Sequence, residues 1–191
     1  MIPEKLRILW SADLYRYEGQ CNKKLAVKHL LHDPGYKYTF FMRLCQYLAN
    51  TDTKLTKPAY ILFRVILQHY TYKYGISIDP NTNIGRGFYI GHFGSIVVNP
   101  KTVIGKNCNI SQNVTIGQAN RGKRMGCPII GDNVYIGPGA KIIGAVHVGN
   151  NVAIGANCVV TNDVPDYSVV VGVPGRVISY KGSEGYVNNT V

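Results

Sequence analysis

From residue 76 onward, aliphatic residues recur every six positions. Ile78, Ile84, Ile90 and Ile96 form a first run. After a slip of two residues come Val98, Ile104, Ile110 and Ile116, and after a longer break Ile130, Ile136, Ile142, Val148, Ile154 and Val160. Glycine often follows the aliphatic residue, as at Gly85, Gly105, Gly131 and Gly149. This period is neither that of a helix (about 3.6) nor that of a plain strand (about 2). It fits a triangular coil of three short strands and about 18 residues per turn, each aliphatic side chain stacking on its equivalent in the next turn. The slip falls just after His92. The longer break, QANRGKRMGCP at 118–128, has no aliphatic residue in phase and must leave the prism as an external loop, the kind of segment on which function concentrates.

Residues 1–75 are patterned differently. Leu25, Lys28, His29 and His32 lie at helical spacing, as do Phe40, Phe41, Leu44, Tyr47 and Leu48, and then Tyr60, Ile61, Arg64, Val65, Leu67 and Gln68. Two or three amphipathic helices are expected, with turns at Asp33-Pro34-Gly35 and around 50–58. The organisation predicted is a short α-helical region over 1–75, a mainly β domain over 76–180 and a polar tail over 181–191.

Composition narrows this picture. The 191 residues carry a net charge of +11, of which +7 sits on residues 1–75. A basic surface attracts nucleic acid, anionic lipid or a polyphosphate cofactor. No run of like charge is long enough for a nucleic-acid tail, so no nucleic-acid partner is expected. Cys21, Cys45, Cys108, Cys127 and Cys158 are odd in number and form no CxxC pair, which argues for reduced thiols and against a structural zinc. The start, MIPEKLRILW, lacks a signal peptide's cleavage site. AYILFRVILQ is too short to span a bilayer and is interrupted by Arg64. A cytoplasmic protein is expected, with membrane-surface affinity left open.

The segments IDPNTNIGRGFYIGHFGSIVVNPKTVIG, SQNVTIGQ, IGPGAKIIG, IGANCVV and VVGVPGRVI together resemble the hexapeptide-repeat acyltransferases, and within them the serine acetyltransferases. The resemblance spans roughly 76–180. It implies a left-handed parallel β-helix that assembles as a homotrimer or a dimer of trimers. Acetyl-CoA would lie between neighbouring prisms, with His92 as general base. The chemistry suits a histidine: a neutral imidazole can take the proton of an alcohol as it attacks a thioester. The CoA thiolate leaves readily, so no metal is expected. Gly117, Gly137, Pro138, Ala140, Lys141, Ala156 and Asn157 match positions the family uses along the pantetheine arm, and Lys141 and Arg176 are candidates for the phosphates. Only His92 and His147 fall within the coils, too few for the three-histidine zinc site of the carbonic anhydrases that share this prism.

This chain also departs from the family. Gly91 stands where an Asp usually precedes the catalytic His, and Gly126-Cys127 where an Arg-His pair usually precedes the Pro. The Asp that orients the catalytic His in the family maps to Ser77, or its role passes to Asp79. The missing groups would hold the ammonium and carboxylate of serine. Asp33 is the candidate for the negative partner and Arg121, Lys123 or Arg124 for the positive one, with Cys127 lining the acceptor site. The expected activity is acetyl-CoA-dependent O-acetylation of L-serine, feeding cysteine synthesis. The competing acceptor is a sugar or surface-polysaccharide precursor, whose hydroxyl needs no charged clamp. Relatives that bind cysteine synthase usually end in Ile. Asn189-Thr190-Val191 is a weak match, so that partner is not expected.

Overall fold

The computed structural model describes residues 3–51, 53 and 56–191. Four helices open the chain: α1 (Glu4–Glu18), α2 (Lys23–His32), α3 (Pro34–Thr51) and α4 (Thr56–Tyr74). The pattern of apolar positions had predicted two or three. The helix it misses is α1, whose buried face mixes Asp13 and Arg16 with Leu6, Ala12 and Leu14 and so shows no apolar stripe. Nor is Asp33-Pro34-Gly35 a free turn. Asp33 Oδ1 accepts the N–H groups of Gly35 and Tyr36, and Pro34 occupies the first position of α3. A carboxylate cap followed by proline starts a helix as readily as it makes a turn. Of the turn expected around 50–58, Asp52, Lys54 and Leu55 lie outside the described residues.

From Ile76 the chain winds into a parallel β-helix of about five turns. One face stacks Ile76–Ile78, Ile96–Val98, Thr115–Gly117, Lys141–Ile143 and Val159–Val160. A second stacks Asn83–Ile84, Val103–Ile104, Ile129–Ile130 and His147–Val148. The third stacks Tyr89–Ile90, Asn109–Ile110, Tyr135–Ile136, Ala153–Ile154 and Val169–Val171, and is closed by the antiparallel strand Arg176–Ser179. Val97 pairs with Thr115 and Lys141 with Val159, an offset of 18 residues. Ile76 pairs with Ile96 at an offset of 20, and Thr115 with Lys141 at 26. The extra residues are the two of the slip and the eight of the external loop. Every in-phase aliphatic residue named above is buried, in one continuous core.

Asparagines turn the corner between the second and third faces. Asn107, Asn133 and Asn151 take positive φ there, a region that Asn tolerates better than most residues. Their amides form a ladder: Asn107 Nδ2 donates to Asn133 Oδ1, and Asn133 Nδ2 to Asn151 Oδ1, both at 2.9 Å. The polar tail climbs back along this corner. The Ser183 hydroxyl donates to Asn133 O, Tyr186 stacks on Tyr135, and the Val191 N–H donates to Asn107 Oδ1.

The helices reach the coils through buried charge. Arg43 on α3 is paired with Asp13 on α1, both side chains only 1% exposed. Its guanidinium also donates to Ile84 O at 2.7 Å and Gly85 O at 2.6 Å, while Asp13 Oδ1 accepts the Phe88 N–H. Beside it Arg16 donates to Gly87 O, Asn109 Oδ1 and Asn188 O, tying α1, two coils and the tail together. Removing one partner of a buried ion pair strands the other charge. Asp13→Ala is therefore expected to lose about 3–5 kcal/mol in chemical denaturation, and the double change Asp13→Leu with Arg43→Met markedly less.

Candidate active site

His92 lies at the corner between the third and first faces, directly after Tyr89–Ile90. The corner repeats down the prism through a backbone ladder. Gly94 O accepts the Asn113 N–H at 2.7 Å, Gln112 O the Gly139 N–H at 3.0 Å, and Pro138 O the Asn157 N–H at 2.8 Å. His92 is exposed and makes no hydrogen bond among the described residues. Its imidazole is free to meet a substrate.

The ladder brings most of the cofactor candidates into one column with His92. Gly137, Pro138 and Ala140 turn the corner two coils below it, and Ala156 and Asn157 one coil further. The residues are small for a geometric reason as well: a Cβ on Gly139, at φ +74°, would fall 2.0 Å from Asn157 Oδ1. Lys141 begins the first face beside this column and donates to Asn113 O one coil above. Arg176 is exposed on the closing strand, paired with Val171. Gly117 stands apart, at the far edge of the first face where the external loop departs.

Sequence reasoning missed one residue of the column, Gln112. Its Oε1 is enclosed without a partner, an unusual state for a polar atom in a native structure. The available signal was its spacing: Gln112 follows Gly94, two residues past His92, by 18 residues, the regular turn. The orphan acceptor suits an amide N–H of the kind a pantetheine arm carries.

Of the acceptor candidates, Asp33 alone is brought toward His92. It caps α3, and α3 abuts Ile90 so closely that a Cβ on Gly35 would fall 2.3 Å from Ile90 O. Asp33 Oδ2 faces His29 Nδ1 at 3.5 Å, and His29 Nε2 lies 3.1 Å from Glu18. The Tyr17 hydroxyl donates to Ile90 O. Burial, and then the nearby Asp33 carboxylate, push the Tyr17 and Tyr89 hydroxyls above the usual phenol range, so both remain neutral donors. The Tyr89 ring lies over Gly91, where a Cβ would meet it at 3.2 Å, and Phe93 packs its exposed ring on Tyr74.

Asp79, Arg124 and Cys127 are not gathered at His92 within one chain. They lie around a different corner, between the first and second faces. Asp79 accepts the Asn81 N–H and pairs with Arg64. The Cys127 thiol lies 3.4 Å from Asn99 Oδ1. Arg124 Nη1 reaches both Asp163 oxygens at 2.8 Å and so pins the external loop to the prism rather than presenting a free charge. Hydrogen bonds from the His147 N–H and then Arg124 hold the Asp163 carboxyl below its ordinary range. Cys108 is buried at the core, its thiol pushed up to about 12 by desolvation, and has no reactive character. Among the described residues, no three His, Cys, Asp or Glu side chains are grouped to hold a metal.

Three comparisons place this geometry among known proteins. Residues 127–162 match the family model of the bacterial transferase hexapeptide (six repeats). The serine acetyltransferase of Staphylococcus xylosus is 45% identical over 128 residues, covering 66% of this chain. The chain spans 58% of that relative's length. A serine acetyltransferase of Brucella abortus strain S19 in complex with coenzyme A superposes with a TM-score of 0.72 at 27% identity, covering 93% of this chain and 67% of that one. A serine acetyltransferase in complex with cysteine superposes with a TM-score of 0.69 at 31% identity, covering 89% and 68%.

The loop anchor can be tested directly. The Ala119 and Gly126 backbones bond to each other at 3.0 Å, closing the loop at its base. Arg124→Ala is expected to speed amide exchange at both positions and leave the core coils unchanged. Asp163 is held below its ordinary range, so the pair is intact at neutral pH and is lost only as pH falls through that lowered value.

Proposed function

This chain belongs to the hexapeptide-repeat acyltransferases, with serine acetyltransferases among its relatives, and we propose that it transfers the acetyl group of acetyl-CoA to the hydroxyl of L-serine. The observation that carries the reading is the column beneath His92: an exposed, unpartnered imidazole above small residues and an orphaned Gln112 acceptor. In this reading His92 takes the proton of the acceptor hydroxyl as it attacks the thioester carbonyl. Backbone N–H groups of the corner stabilise the oxyanion. Gly137, Pro138, Ala140, Ala156 and Asn157 let the pantetheine arm run close to the corner, with Gly117 at the far edge of the face, and Lys141 and Arg176 meet the phosphates.

We place Asp33 opposite the serine ammonium. The loop that carries Arg121, Lys123 and Cys127 reaches this acceptor only from a neighbouring prism, which is the argument for a homotrimer. A threefold assembly sets one corner of each prism against a different corner of its neighbour. The reaction would take place in the cytoplasm, without a metal.

A second reading, a sugar acceptor, is favoured by the aromatic flanks of His92. Tyr89 over Gly91 and the exposed Phe93 offer ring faces and a neutral hydroxyl rather than charges. Release of free CoA, followed with L-serine and with a panel of sugars, separates the two. His92→Ala is expected to lose about a hundred- to ten-thousandfold in kcat on whichever acceptor is used. Asp33→Asn keeps the helix cap but removes the charge, and is expected to raise KM for L-serine about tenfold or more. Turnover of sugars alone, indifferent to Asp33→Asn, overturns the serine reading.

A further inference from the structure

The outer face of α4 is apolar where it meets solvent. Ile61, Leu62, Val65 and Tyr72 are 63%, 58%, 64% and 80% exposed, and with His69 they recur at three- and four-residue spacing along one side of the helix. The stripe is longer than the scattered apolar residues normal on a surface. Its surroundings are basic: α4 holds Lys57, Arg64 and Lys73 and no Asp or Glu, although Arg64 is paired with Asp79 of the first coil. From Lys23 to Tyr74 the sequence has nine Lys or Arg against two Asp. Lys37 lies over the Tyr70 ring, on the inward side of α4, and donates to Leu31 O.

We propose that α4 lies on an anionic lipid bilayer, its apolar stripe sunk to the headgroup level and the lysines around it facing lipid phosphates. A helix with an apolar face, basic flanks and interfacial tyrosines has the form of an in-plane membrane helix. No helix among the described residues is long and apolar enough to cross a membrane, so the contact is with the surface only. Charge decides between a bilayer and a second copy of this chain. Two copies of this face would set one basic region against another, each with nine Lys or Arg against two Asp from Lys23 to Tyr74, whereas an anionic surface is complementary. The contact also has a consequence for the chemistry. Tyr74, at the end of α4, is buried on the side of the helix away from the stripe and packs on Phe93, so a docked α4 leaves the His92 corner facing away from the bilayer.

The test is co-sedimentation of the full chain with vesicles of phosphatidylcholine alone and of phosphatidylcholine with phosphatidylglycerol. Binding is expected only with phosphatidylglycerol, weakening as salt is raised. The double substitution Ile61→Asp with Val65→Asp, on exposed positions remote from His92, is expected to lower vesicle binding at least about tenfold while the mass by light scattering stays unchanged. Equal binding to both vesicle types, or binding that survives the double substitution, overturns the proposal. A double substitution that lowers the oligomeric mass, in a wild-type chain that ignores the vesicles, overturns it too and gives the face to a second copy.

Discussion

The helical region has its place because one guanidinium is buried. Arg43 joins three things that sequence alone leaves separate: α3 on which it stands, α1 through Asp13, and the first coil through the Ile84 and Gly85 carbonyls. Those carbonyls sit at a coil corner with no neighbouring coil above to bond them, and Arg43 supplies the donors instead. Arg16 repeats the device two residues on, at Gly87, and extends it to the tail. The cost of burying charge is met by near-complete hydrogen bonding, and the directional bonds fix how α1 and α3 sit on the prism. Asp33 and Tyr17 stand beside Ile90 for that reason, and the proposed acceptor site inherits its shape from it.

Below that joint the coil constraint takes over. Each turn must bring an aliphatic residue back over its predecessor, so any residue at a corner has an equivalent in the next turn. Small residues under His92 serve the turn first, as Gly139 shows against Asn157. In the proposed reading, cofactor access asks for the same small residues as the turn does. The two departures from an 18-residue turn are where the molecule stops being a repeat: the slip beside His92 and the loop at 118–128.

The coils were legible because their period is a strict consequence of burial, and each in-phase aliphatic residue is indeed inside. α1 was not legible, since its inward positions mix Asp13 and Arg16 with Leu6, Ala12 and Leu14 and so leave no apolar period. His92 could be singled out from the slip and the family-like context around it. The separation of Asp79, Arg124 and Cys127 from His92 was in principle countable. Corner membership follows from position within the turn once the slip and the loop are deducted, and by that count the loop belongs to the corner of Asp79 and Asn99. The same count places Gln112 at the His92 corner, one coil below. What no count could give is Arg124 spent on Asp163, because that pair depends on how the loop folds back.

That spent arginine bears on the acceptor. A free amino acid is a zwitterion, and a site that holds it must answer both charges, because a desolvated unpaired charge costs more than the binding returns. Within one chain the His92 corner offers Asp33 for the ammonium, but Lys141 lies a coil or more below and Arg124 is occupied. Arg121 and Lys123 are exposed and make no ion pair among the described residues, yet they ride on the loop at another corner. Under the proposed serine reading, the loop of a neighbouring prism must therefore supply the positive partner. A sugar makes no such demand: its hydroxyls are answered by Tyr89 and its apolar face by the rings beside His92, all within one chain. Dependence of acceptor affinity on assembly, measured apart from donor affinity, is thus a physical signature of which acceptor the site was shaped to hold.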